Sequence, residues 1–299
     1  MKKPNFFIIG APKCGTTSMA AWLGEHPNIY MSPEKEPWFF CSDIRYPGIK
    51  TWGAYLQLFQ AASPEKVRRG EASVPYLFSQ VAVPTIERQL PGSTYIVMLR
   101  NPVEMAYAYH GQHLRYFQED IDDFSQAWRL APNRRAGHHV PSNCPDPILL
   151  DYSSWCLLGE QLERLYSIVP RERVLVLLLD DVKENPRREY LKVLDFLGLL
   201  DDGRQSFPVH NAAREWRLKK FAKLTHTVRI KAAKLRSAAG VNSFGLKWLV
   251  DMYESLNFQQ YSRPPMSAQL REELVDFFAE DIQRLERMLN RDLSAWRKK

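Results

Sequence analysis

Lys13 stands in the run Gly10-Ala-Pro-Lys-Cys-Gly-Thr-Thr-Ser18, whose residue types suit a tetrahedral oxyanion such as a phosphate. A short apolar stretch, Phe6 to Ile9, precedes it and reads as a buried strand. Cys14, Gly15 and Thr16 form a small-residue turn, after which Met19, Trp22 and Leu23 recur at i, i+3 and i+4 like one face of a helix. Strand, glycine-bearing loop and helix together make a phosphate cradle. The first-turn amides of a helix have no intrahelical partner, and the helix dipole adds positive charge at the same end. Thr16, Thr17 and Ser18 add hydroxyl donors and Lys13 a full charge. The order differs from the nucleotide-triphosphate loop G-x-x-x-x-G-K-[ST]. Gly10 and Gly15 have its spacing, but Thr16 follows Gly15 and the lysine comes two residues earlier. A phosphate is accommodated, whereas the placement of lysine and magnesium on β- and γ-phosphates is not. An ordinary strand-to-helix turn with an exposed lysine would share the pattern.

Two further residues carry possible chemistry. Arg100 closes the apolar run Ser93 to Leu99 just before a helix start marked by Asn101-Pro102, a position where a guanidinium can grip a phosphate with two parallel hydrogen bonds. A salt bridge to Glu104 fits the same position equally well. Glu36, in Glu34-Lys-Glu-Pro-Trp-Phe-Phe40, lies among proline and aromatic residues, a setting that makes a carboxylate a better proton acceptor. Pairing with Lys35 at the surface is its bland alternative.

The stretch Ala11-Pro-Lys-Cys-Gly-Thr-Thr-Ser18 resembles the 5′-phosphosulfate loop of sulfotransferases that use 3′-phosphoadenosine 5′-phosphosulfate (PAPS), and three later segments agree in order. The resemblance implies that Lys13, Cys14, Gly15, Thr16, Thr17 and Ser18 hold the 5′-phosphosulfate. Arg100-Asn-Pro-Val-Glu-Met-Ala-Tyr107 resembles the 3′-phosphate segment, which gives Arg100 that role. The family's serine eight residues on is Ala108 here, and a lost hydrogen bond to a charged group costs about 1.5–3 kcal/mol. Glu36-Pro-Trp-Phe-Phe40 resembles the family's E-x-H-F-F, which makes Glu36 the base for the acceptor, with Trp38 where histidine is usual. Gly70-Glu-Ala-Ser-Val-Pro-Tyr76 resembles a strand end lining the acceptor site, with Ala72 in place of a frequent lysine; Glu71 and Ser73 are site candidates or packing residues. The implied reaction is in-line sulfuryl transfer to a hydroxyl or amine of a small-molecule or carbohydrate acceptor, with the bisphosphate PAP as product and no metal. The alternatives are a nucleotide-dependent kinase and a non-catalytic adenosine-bisphosphate-binding protein.

The elements that must position these residues alternate between strand and helix. Besides Phe6–Ile9 and Ser93–Leu99, Gly70 to Leu77 and Val174 to Leu179 read as strands, and Asn185-Pro186 as a helix start. A long amphipathic helix runs through Leu270, Leu274, Phe278, Ile282 and Leu285. The pattern implies an α/β fold, a three-layer α/β/α sandwich with a central parallel sheet and ligands at the strands' carboxyl ends. Asp180 and Asp181, after an apolar run, mimic a magnesium-binding strand but read as structural. His26 is expected to cap the first helix, and His110 and His113 to lie exposed or face the cleft. The aromatic stretch from Trp38 to Trp52 is expected to wall the acceptor site, and residues 118–150, with four prolines, to form a variable surface excursion.

The 299 residues suffice for one large domain, 1–299, with 45% hydrophobic and 25% charged residues as in ordinary globular chains. No apolar run reaches membrane-spanning length, and the start is too short for a signal peptide, so a cytoplasmic protein is expected. Four cysteines without a C-x-x-C pair exclude zinc-ribbon spacing, and no histidines have metal-ligand spacing. The net charge of +7 is concentrated at 214–236, where nine basic residues oppose only Glu215. Leu218, Phe221, Leu224, Val228, Ala232 and Leu235 make that segment a basic amphipathic helix. Core packing is its expected role; a lid over the donor's phosphates or docking on an anionic membrane surface are the others. Nucleic acid is not an expected partner.

Overall fold

The computed structural model describes residues 1–210, 214–216, 258–260 and 263–298. In chain order the elements are β1 (Phe6–Gly10), α1 (Thr16–Gly24), β2 (Ile29–Met31), α2 (Trp52–Gln57), β3 (Arg68–Ala72), α3 (Ala82–Gln89), β4 (Thr94–Leu99) and α4 (Pro102–Arg115). There follow α5 (Phe124–Arg129), α6 (Ala131–Arg135), α7 (Tyr152–Trp155), α8 (Leu158–Ile168), β5 (Val174–Leu178), α9 (Leu179–Glu184) and α10 (Pro186–Phe196). A short antiparallel ribbon, β6 (Arg214–Trp216) with β7 (Phe258–Gln260), precedes the long α11 (Ala268–Leu289). The basic amphipathic stripe read from the sequence at 218–235 lies outside the described residues.

Five strands form one parallel sheet in the order β2-β3-β1-β4-β5, as the alternation of strands and helices required. All five β1 residues are buried, because helices cover both sheet faces. Packing beside β1 fixes one neighbour's identity: a Cβ on Gly70 would lie 2.2 Å from the Phe6 ring, so β3 must carry glycine where it pairs with Phe6. Connections leave β1 toward β2 and β3 on one side and β4 on the other. The carboxyl end of β1 is therefore the point where the strand order diverges, the crevice where open α/β sheets take their ligands. On the helical layers α11 packs against α8 and α4, while α1 lies against β2 and β3.

Local capping follows the sequence. Asn101 accepts from the Val103 amide at 2.9 Å and Asn185 from that of Arg188 at 2.9 Å, each with proline at the next position. Gly70 to Leu77 divides into β3 and a 3-10 turn at Val74–Tyr76, since Pro75 supplies no amide for a further ladder bond. Asp180 and Asp181 belong to α9 and are structural. Asp181 pairs with Arg291 (2.6 Å), and Asp180 accepts from the Trp296 indole (3.1 Å).

Other expectations are corrected. His26 caps α1 through its amide, which donates to the Leu23 carbonyl (3.1 Å), and not through its ring, whose Nδ1 accepts from the Asn28 amide (3.1 Å) and whose Nε2 meets the Leu200 carbonyl (3.1 Å). Residues 118–150 are not purely a surface excursion. Fully buried Arg134 of α6 donates to Glu119 (2.6 Å), which also accepts from the Tyr152 hydroxyl (2.7 Å). Breaking such a buried pair typically costs about 3–5 kcal/mol, so this stretch is anchored in the core.

His110 and His113 are buried rather than exposed, because α4 turns the face that also carries Tyr109 toward Phe124 and Tyr152. Burial is the main cause that lowers each imidazole to about 4, with Arg263 a further cause at His110. Both groups are neutral in the folded and unfolded states above their ordinary value near 6.5. As pH falls below that, the unfolded chain takes up protons first, and stability is lost until about pH 4. Each unit of difference corresponds to about 1.4 kcal/mol. Denaturant titration should show stability dropping between pH 6.5 and 4.5, with a shallower drop in His113→Gln; a flat profile would contradict the burial of neutral imidazoles.

Candidate functional site

The loop after β1 is tied to the neighbouring strand before it turns into α1. The Ala11 amide donates to the Met98 carbonyl of β4 at 2.7 Å. Lys13 has φ of 62° and Gly15 has φ of 87°, two left-handed residues that curl the loop into a concave turn. Gly15 occupies the N-cap position without a capping side chain, which leaves the first-turn amides of α1 open. A Cβ there would lie 2.9 Å from the Leu179 side chain, besides straining the φ angle. Thr16 and Ser18 are buried and Thr17 is partly exposed. The Ser18 hydroxyl is engaged elsewhere: it accepts from the His210 amide (2.9 Å), and the Trp22 indole beside it donates to the Pro208 carbonyl (3.0 Å). Cys14 contributes backbone only, for burial pushes its thiol up to about 12.

Arg100 meets this loop directly. Its Nη1 donates to the Lys13 carbonyl at 3.1 Å. Glu104, its alternative partner, pairs instead with Arg271 of α11. Lys13, Arg100, Ala108, Arg115, Arg263 and Arg271 line one cavity of about 940 Å³. The ammonium of Lys13 is lowered to about 8, first by burial and then by the Arg115 and Arg100 charges, with Glu36 acting in the opposite direction. Glu104, Glu119, Asp120, Asp122 and Asp123 line the same cavity, so the positive charge that an anion would meet is local to Lys13, Arg100 and Arg115.

Three of those arginines were not singled out from the sequence. Arg115 ends α4 and belongs to no motif, and Arg263 and Arg271 lie more than 150 residues from Arg100, so only the tertiary fold assembles them. Arg263 is held firmly: its guanidinium sits 3.8 Å above the Tyr107 ring, Nη1 donates to the Tyr107 carbonyl (2.7 Å) and Nη2 to His110 Nδ1 (2.6 Å). Because His110 Nε2 lies 2.8 Å from the Ile121 carbonyl, a group that only accepts, Nε2 carries the proton and Nδ1 the lone pair. These contacts place the guanidinium along the face of α4 that carries Ala108.

Glu36 sits in the loop between β2 and α2, with its amide donating to the Ala72 carbonyl at the end of β3 (2.9 Å). Its carboxylate pairs with Lys35, and the side chain is about one-third exposed (30%). Glu36 and Trp38 both adopt left-handed φ, 60° and 54°. Trp38 is buried and stacks on Tyr46 with ring centres 4.1 Å apart. The aromatic wall expected from Trp38 to Trp52 is instead a packing cluster. Phe39 stacks on Tyr55 (4.6 Å), Phe40 is buried against Tyr55 and Tyr76, and none of these rings lines the cavity. Glu71 and Ser73 are completely buried and hydrogen-bonded to each other (2.8 Å). Among the described residues no cluster of histidine, cysteine or carboxylate side chains has the geometry of a metal site. No described helix is long and apolar enough to cross a membrane.

Comparison with known proteins bears on the same elements. A family model described as a sulfotransferase domain matches residues 3–227. The crystal structure of a sulfotransferase from Alicyclobacillus acidocaldarius superposes with a TM-score of 0.73 and 28% identity, covering all of both chains. Mouse carbohydrate sulfotransferase 15 is 28% identical over 66% of this chain and 44% of its own length. The human bifunctional heparan sulfate N-deacetylase/N-sulfotransferase 2 is 25% identical over 66% of this chain and 22% of its own length. The chain thus spans less than half the length of these curated relatives. With a matched model over most of its residues, including the β1 loop, Glu36 and Arg100, the chain belongs to the sulfotransferase domain family.

Proposed function

We propose that the protein transfers a sulfuryl group from PAPS to a hydroxyl or amine of a carbohydrate or small-molecule acceptor and releases PAP. The observation that carries this reading is the hydrogen bond from Arg100 to the Lys13 carbonyl, which sets both cations on one cavity of about 940 Å³. That volume suits a nucleotide with an acceptor beside it. In this reading the amides of the Cys14–Ser18 turn and the Thr16 and Thr17 hydroxyls hold the 5′-phosphosulfate, while Arg100 takes the 3′-phosphate. Arg263, beside Ala108, supplies the charge on the side where the family's serine hydroxyl is missing.

The chemistry follows from the same groups. Glu36 takes the proton of the attacking hydroxyl or amine as the new bond to sulfur forms. The bond from sulfur to the bridging oxygen breaks, and Lys13 neutralises the charge that grows on that oxygen. Catalysis of this type consists mainly of positioning and electrostatic stabilisation. Polar residues on the far cavity wall, including Asp120, Ser142 and Asn143, favour a polyhydroxylated acceptor over a polycyclic one.

Incubation with sulfur-labelled PAPS and a panel of saccharides should label an acceptor without added metal, and ATP with magnesium should give no phosphoryl transfer; the reverse result would reject the reading. Lys13→Ala should lower kcat about 100- to 1,000-fold with folding intact. Glu36→Gln should lower kcat by a factor on the order of 100 to 10,000 while PAP affinity stays unchanged; wild-type turnover would remove it from the reaction. Lys13 is protonated below about pH 8. Calorimetry should therefore show PAP affinity weakening as pH rises through 8, and Lys13→Ala should flatten that dependence.

A further inference from the structure

One buried carboxylate is not used by the proposed reaction. Glu71, near the carboxyl end of strand β3, has no exposed surface, and no lysine or arginine pairs with it among the described residues. Its partners are hydroxyls. Tyr55 of α2 donates to Oε1 (3.1 Å) and Ser73 to Oε2 (2.8 Å), and the Tyr76 hydroxyl nearby also favours the charged form. An uncompensated buried carboxylate is costly, and the hydroxyls offset only part of that. Burial pushes the group up to about 7, with Tyr76, Ser73 and Tyr55 pulling it back and Glu36 pushing it further. Cys41 is the other titratable group whose charge bears on it.

The two tyrosines on Glu71 are also the two that grip the loop carrying Glu36. The Tyr76 hydroxyl accepts from the Phe40 amide (3.4 Å). Phe39 stacks on the Tyr55 ring (4.6 Å, 15°), and Phe40 packs edge-on against both Tyr55 (5.2 Å) and Tyr76 (5.7 Å). Between these grips and the bond from the Glu36 amide to Ala72, the chain holds left-handed φ at Glu36 and Trp38. Such conformations cost about 1–3 kcal/mol per residue and persist only where the surroundings over-determine them.

We propose that Glu71 is a positioning residue for Glu36: its buried carboxylate fixes Tyr55, which with the neighbouring Tyr76 holds residues 36–40 in the turn that presents Glu36 to the acceptor. The proposal rests on the reading of Glu36 as the base. Ser73 completes the anchor from the opposite oxygen. The network reaches Glu36 through packing and one amide and has no route for a proton, so Glu71 itself stays out of the chemistry.

Two measurements test this. In hydrogen exchange, Glu71→Gln should speed the amides of Glu36 and Phe40 about 10-fold while Phe7 and Ile8 of β1 exchange as in the wild type. Tyr55→Phe, which removes the bond to Oε1 but keeps the ring that stacks on Phe39, should have the same local effect to a smaller degree and covers the case in which Glu71→Gln does not fold. In turnover, Glu71→Gln should lower kcat on the order of 100-fold with PAP affinity unchanged, and combining it with Glu36→Gln should add nothing. Wild-type exchange at 36–40 in both variants, loosening spread evenly into β1, or additive losses in the double variant would overturn the proposal. A wild-type protein that transfers no sulfuryl group would overturn the proposed function instead, and the exchange measurement would still decide whether Glu71 holds the loop.

Discussion

Like charges gathered out of water are the constraint on which the site depends. The proton affinity of Lys13 is lowered first by burial and then by the neighbouring Arg115 and Arg100 charges. Folding supplies the work: the β1–β4 ladder brings the two loops together, Ala11 is tied to Met98, and Arg100 closes on the Lys13 carbonyl. The fold therefore holds an ammonium near two guanidinium groups in a partly desolvated loop, a cost that bound negative charge would offset.

The backbone is adapted to the same end. Left-handed residues occur at Lys13 and Gly15 in the loop after β1 and at Glu36 and Trp38 in the loop after β2. Only one of the four is glycine, so three side chains bear a conformational cost that a loop without a task would have relaxed. The compensation is visible in each case: strand anchoring for Lys13, and the Tyr55–Glu71–Tyr76 network with the Trp38–Tyr46 stack for the acceptor loop.

Much of this was legible in the chain. The strand-loop-helix at 6–24, the Asn-Pro helix starts at 101 and 185 and the apolar β4 and β5 are local patterns, and local patterns survive into the fold. Residue type misled where burial decided the outcome. The aromatics between Trp38 and Tyr55 look like a ligand wall by composition but pack against one another, since rings of that size gain more from a shared core than from water. His110 and His113 lie on a helix whose periodicity is weak, and only the approach of Tyr152 and Phe124 shows which face is inside. Arg263 and Arg271 illegibly precede or begin a helix far along the chain; no spacing rule relates them to Lys13. Glu71 was visible as a candidate, but its connection to Glu36 runs through tyrosine hydroxyls that no linear motif encodes.

The cavity has a divided origin. Lys13, Arg100 and Arg115 come from within the family match at 3–227, whereas Arg263, Met266 and Arg271 come from beyond it. The two parts of the lining are therefore encoded far apart and can diversify separately. A fragment trimmed at the family boundary would keep the β1 loop and lack three of the residues that border its cavity.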